Sequence, residues 1–95
     1  MQEASQELPM ELTAVPNPFK NILNVTVSIP EAGDYQIALV DMYGRIVTEI
    51  YNGALDADQY RSFELSTSDL PSGVYAIRAL NQATMTGHTQ MIVKP

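Results

Sequence analysis

Apolar and polar residues alternate in short runs along most of this chain, and turn-forming residues separate the runs. The clearest run has Leu23, Val25, Val27 and Ile29 on one face and Asn24, Thr26 and Ser28 on the other. A period of two sends successive side chains to opposite faces, so this segment predicts a strand with one buried face. Further runs read the same way. Glu11 to Val15 predicts a short edge strand that stops at Pro16, because proline cannot donate to a ladder. Asn17, held between Pro16 and Pro18, is confined to an extended or turn conformation. After the turn Pro30-Glu31-Ala32-Gly33-Asp34 comes Tyr35 to Val40, with Tyr35, Ile37 and Leu39 inward.

Ile46 to Tyr51 pairs back across a tight hairpin at Tyr43-Gly44, where Gly44 takes the positive φ that other residues resist. Asn52-Gly53 predicts another turn, which opens a polar loop through Asp56 and Asp58. Arg61 to Ser66, Gly73 to Leu80 and Thr86 to Val93 complete the set, with Phe63 and Leu65 inward in the first of these. Asn21 to Leu23 is where a helical turn competes. Short strands with turns between them, and no useful helical period, predict an all-β fold. The specific expectation is a seven-stranded immunoglobulin-like antiparallel β-sandwich. Residues 1–10 are polar and aperiodic and read as a linker remnant, so the domain is expected to occupy 11–95.

Leu70-x-x-Gly73-x-Tyr75 supports the sandwich independently. A tyrosine early in the penultimate strand of such folds bonds its hydroxyl to backbone a few residues upstream. Here Leu70 plugs the end of the core, Gly73 permits a sharp entry and Tyr75 supplies the bond.

Composition narrows the function. The chain has 95 residues, 45% of them hydrophobic, enough for one domain with a thin core. Its 11 acidic residues against 5 basic ones leave a net charge of −6, a field that repels nucleic acid. Cysteine is absent, so the core must hold by packing alone. No apolar run has the length of a membrane-spanning helix. The N-terminus has no basic region followed by an apolar stretch, so no signal peptide is expected, and an exported protein would make this chain a fragment.

Chemistry is sparse. His88 is the single histidine and has no cysteine or second histidine for a metal site or triad. Asp56 and Asp58, with Asn52, make an oxygen-rich stretch of the kind hard cations favour, although Asp also simply stabilises turns. Tyr35, Tyr43, Tyr51 and Tyr60 suit an aromatic sugar platform, and core and rim packing explains them more simply. No catalytic, cofactor-binding or metal-binding residue is expected, and the chain does not read as an enzyme.

The turn motifs, in order, carry a resemblance. Pro16-Asn17-Pro18-Phe19 precedes an apolar strand, Asp41-Met42-Tyr43-Gly44-Arg45 makes the hairpin, and Leu70-Pro71-Ser72-Gly73-Val74-Tyr75 makes the corner. A last apolar strand then carries a basic residue, Met91-Ile92-Val93-Lys94. This order resembles the C-terminal sorting domain of proteins exported by the type IX secretion system of Bacteroidetes-type bacteria, over roughly residues 13–95. Pro95 is a departure, since the family more often stops at a basic or polar residue.

The resemblance implies a folded address label on an N-terminal cargo that lies outside this chain. It implies transit through the periplasm, recognition by an outer-membrane translocon, cleavage by a cell-surface sortase, and a final place at the cell surface or in the medium. An exposed terminal strand suits recognition by β-augmentation, and Gln90, Met91, Ile92, Val93 and Lys94 are the candidate recognition residues. The same edge would allow a weak edge-strand dimer. Pro16, Asn17, Pro18, Asp41, Gly44, Leu70, Gly73 and Tyr75 are expected to be structural. The alternative is an immunoglobulin-like adhesion or carbohydrate-binding module.

Overall fold

The period-two runs become strands with the expected faces. A computed structural model describes residues 10–95 of the chain. It contains β1 (Glu11–Val15), β2 (Ile22–Ser28), β3 (Gly33–Asp41), β4 (Ile46–Leu55), β5 (Arg61–Ser66), β6 (Gly73–Asn81) and β7 (Thr86–Lys94). These form a three-stranded sheet, β1-β2-β5, and a four-stranded sheet, β4-β3-β6-β7, all antiparallel. The two sheets pack as a sandwich, and β4 lies beside β3, in the immunoglobulin-like manner. No helix forms among the described residues, and Ile22 and Leu23 belong to β2. The expected linker lies outside the described residues except for Met10, which packs half-buried against the core.

The core follows the alternation. Leu23, Val25, Val27 and Ile29 from the β2 run meet Ile37 and Leu39 of β3, Ile77 of β6 and Ile92 of β7, all essentially without solvent contact. Each such side chain contributes roughly 1.5–3 kcal/mol by leaving water. Phe63, Leu65 and Leu70 cover the rim, half-buried.

One turn expectation is overturned. Asn52-Gly53 does not turn; β4 continues to Leu55, pairing Gly53 with Tyr35, Ala54 with Asp34 and Leu55 with Gly33. Two contacts favour continuation: Leu55 is buried in the core, and the Tyr51 hydroxyl donates to the Ala54 carbonyl at 2.6 Å. Non-local pairing therefore outweighs the local turn preference of Asn-Gly.

The corner forms as expected. The Tyr75 hydroxyl donates to the Pro71 carbonyl at 2.6 Å, and Leu70 packs on the core. Gly73 enters β6 with φ of 157°, which a residue with a Cβ rarely adopts. Tyr35 makes a second such corner at the other end of the sandwich, donating to the Glu31 carbonyl at 2.8 Å and accepting from Asn81 Nδ2 at 3.2 Å. Desolvation, with a smaller push from Glu31, raises the Tyr35 pKa against the opposing Asn81 bond. Tyr75→Phe should lose about 1 kcal/mol in thermal or denaturant melts, the net worth of one hydrogen bond. Gly73→Val should lose more, about 1–3 kcal/mol, from backbone strain. An unchanged melt for Gly73→Val would refute the role of this corner.

Candidate functional site

The sequence motifs, scattered along the chain, meet at one end of the sandwich around β7. The first contributor is the turn between β1 and β2. Both of its prolines follow cis peptide bonds, and neither offers an N–H. The Asn17 side chain acts where backbone cannot: Nδ2 donates to the Met91 carbonyl at 3.2 Å, and Oδ1 accepts from the Val93 N–H at 3.0 Å. One primary amide carries both a donor and an acceptor, so it can pair with an exposed strand as another strand would. Phe19 extends the clamp, its N–H donating to the Val93 carbonyl at 2.9 Å. Its fully buried ring meets Tyr75 edge-on at 5.9 Å between centroids.

This clamp corrects the expectation of an open edge at Gln90–Val93. β7 does lie at the edge of its sheet. Its outward backbone groups at Met91 and Val93 are nevertheless already occupied by Asn17 and Phe19. Among the described residues, the uncovered part of the edge lies toward Thr86. The candidate recognition residues also differ in accessibility: Ile92 is in the core and Gln90 and Lys94 are half-buried, while Met91 is 65% and Val93 42% exposed.

Lys94 is spent internally. Its ammonium donates to three carbonyls, those of Thr67 at 2.6 Å, Leu70 at 2.7 Å and Ser68 at 3.3 Å. The turn before β6 leaves these carbonyls converging without strand partners, and a cation with three donors suits them. Ser72 adds a bond from its hydroxyl to the Pro95 carbonyl at 2.7 Å. Thr67 is itself fully buried; its hydroxyl donates to the Lys20 carbonyl at 2.8 Å and its N–H to the Asn21 carbonyl at 2.9 Å. The terminal strand is thus held by the Asn17 turn along its edge and by the corner loop at its end.

The Asp41–Arg45 hairpin stands beside it, because Asp41 pairs with Tyr75 across β3 and β6. Gly44 (φ 82°) closes the turn by donating its N–H to the Asp41 carbonyl at 3.0 Å. Asp41 Oδ1 accepts from the N–H groups of Tyr43 at 2.9 Å and Arg45 at 3.0 Å, and Oδ2 accepts from Arg45 Nε at 2.9 Å. Partial desolvation pushes the carboxyl pKa up, but the Arg45 and Tyr43 N–H groups and the Arg45 guanidinium together outweigh it and hold it below the usual value. The guanidinium also sits 5.3 Å from the Tyr43 ring centroid. Every polar residue of this motif has a structural partner.

Between hairpin and β7, on the outer face of the four-stranded sheet, runs a groove of about 630 Å³. Val40, Met42, Val74, Ala76 and Met91 line it, with Arg78 as its cation. Met42 and Met91 rank among the most exposed large apolar side chains of the molecule. Exposed apolar surface at one spot marks interaction sites.

Other sequence candidates do not join this end. His88 lies exposed in β7, paired with Ala79. Asn52 sits within β4, bonded to Gln82 and Glu49, while Asp58 takes a turn conformation (φ 61°) and donates its N–H to the Ile29 carbonyl. The tyrosines are engaged separately: Tyr35 in the core, Tyr43 under Arg45, Tyr51 against Phe63 and Arg61, and Tyr60 donating to Glu11 at 2.7 Å. That last bond raises the Tyr60 pKa.

The functional partners that sequence reasoning missed are those of Asn17 and Lys94. Their signal was faint: an amide between two residues lacking N–H groups, and a lone cation in an apolar last strand. Asn17→Ala should destabilise the domain by about 1–2 kcal/mol through two lost hydrogen bonds. Amide exchange at Val93 should accelerate as well. Unchanged protection at Val93 would contradict the clamp.

A family model described as secretion system C-terminal sorting domain matches residues 13–94. The searches of curated proteins and of solved structures returned no match.

Proposed function

Because this chain belongs to the family of secretion system C-terminal sorting domains, we propose that the end of the sandwich built around β7 is the surface the secretion machinery reads. The domain is a C-terminal sorting signal for type IX secretion; it interacts with that machinery and leads to export to the cell surface or the medium. The observation supporting the proposed surface is convergence. The Pro16–Phe19 turn, the Asp41–Arg45 hairpin and the Leu70–Tyr75 corner all contact or flank the strand that ends in Lys94.

Recognition then depends on the folded state. Ile92 and Lys94 position the strand from within, while Met91 and Val93 face outward. Residues 90–94 therefore act as a displayed strand, two of whose side chains are accessible. The finer steps are also part of this reading: the cargo precedes residue 11, passes the periplasm, crosses the outer-membrane translocon, and is released by a surface sortase cutting upstream of Glu11. Edge pairing between copies uses the uncovered Thr86 half of β7.

The test is a fusion of the 95-residue chain behind a periplasm-targeted fluorescent reporter in cells with a working type IX system. Fluorescence should reach the cell surface or medium. Reporter that stays in the periplasm, with the domain intact and folded, would overturn the reading and favour a surface adhesion or glycan-binding module.

A further inference from the structure

The outer face of the four-stranded sheet has a feature that sorting by a displayed strand does not use. Arg78 is half-buried in β6 and lines the groove between the Asp41–Arg45 hairpin and β7. Its only side-chain hydrogen bond among the described residues runs from one terminal nitrogen to Gln36 Oε1 at 3.3 Å, and its buried Nε has no partner. Gln36 in turn donates to Glu49 at 2.8 Å, and among the described residues no carboxylate forms an ion pair with Arg78. Asp41, the acid that lines the groove, is taken by Arg45. A guanidinium left without a carboxylate beside an apolar surface is an unmet electrostatic demand.

The apolar part has a regular layout. Val40 and Ala76 are paired across β3 and β6, and Ala76 and Met91 across β6 and β7. Val40 and Ala76 are nearly buried, with Ala38, in a small cluster of their own, while Met91 and Met42 stand exposed at the rim. Small residues at the floor and flexible methionines at the rim make a trough for branched apolar side chains.

We infer that this groove docks an extended peptide segment of the outer-membrane translocon that carries a carboxylate among apolar side chains. The carboxylate pairs with Arg78, and the apolar side chains lie over Val40, Ala76 and Met91. Charge complementarity selects this occupant, because Arg78 has no acid paired to it, the groove's own Asp41 is neutralised by Arg45, and most of the remaining lining is apolar. The inference rests on the sorting-signal reading only for the source of the peptide.

The test uses the 95-residue chain labelled for NMR and, as probe, a short amidated strand peptide of alternating valine and threonine with one glutamate on the valine face. Saturable shifts should appear at Val40, Ala76, Met91 and the Arg78 side chain. Affinity should fall about fivefold when glutamine replaces the glutamate, and again for the Arg78→Gln chain, whose fold circular dichroism checks. No saturable shift, or equal affinity for the glutamine peptide, overturns the inference. The export fusion separates the two ideas. Export of wild type together with loss in folded Arg78→Gln places the groove in the sorting step. Peptide binding without any wild-type export would retain the groove and discard the translocon as its source. Unimpaired export of folded Arg78→Gln removes the translocon peptide as occupant.

Discussion

Adding a short soluble tail after Pro95 should reduce export of the reporter fusion to background while leaving the domain folded. The tail leaves every core residue in place, and circular dichroism and the melting temperature should match the untailed domain. What changes is access. Val93 and Met91 face outward next to the clamp, and Pro95 is held by Ser72 beside the corner loop. A continuing chain would leave from this point and crowd the surface that the machinery must approach. Deleting 91–95 should also abolish export, but it is a blunter test because it removes Ile92 from the core and Lys94 from its three carbonyls. Full export of the tailed, folded fusion would remove the terminal strand from the recognition surface.

Ile92→Ala should be the most damaging single substitution in that strand, costing about 2–5 kcal/mol, as buried isoleucine truncations do. Ile92 is fully buried, pairs with Tyr75 across the sheet and belongs to the main core cluster. Domains are typically stable by only about 5–15 kcal/mol, so such a loss can unfold a substantial fraction at growth temperature. Its neighbour should behave in the opposite way. Met91→Ala, at an exposed position, should shift stability by no more than about 0.5 kcal/mol. If the outward face is read, it should nevertheless lower export. Chemical denaturation of both variants beside an export assay separates the two effects. A Met91→Ala protein as unstable as Ile92→Ala would contradict the assigned faces of β7.

The alternation alone determined that the chain is all-β, the bounds of most strands, and which residues face inward on β2 and β3. The turn residues and their spacing determined the Asp41–Arg45 hairpin and the Tyr75 corner. These features share one property: their partners are close in sequence. Tyr75 reaches back to Pro71, and Asp41 binds the N–H groups of Tyr43 and Arg45, so residue type at fixed offsets is sufficient information.

Tertiary structure alone decided the rest. Local preference at Asn52-Gly53 favours a turn, yet pairing with Gly33–Tyr35 and burial of Leu55 extend β4 through it. Asn17 was legible as a turn residue, but its partners Met91 and Val93 stand 74 and 76 positions away. Lys94 reads as a basic end and becomes the internal tie of the corner loop. The groove beside Arg78 exists only because β3, β6 and β7 lie side by side. A period of two tells each strand which face to bury and is silent about which strand will lie beside it. That choice is made by the assembled core, where the long-range contacts are formed together.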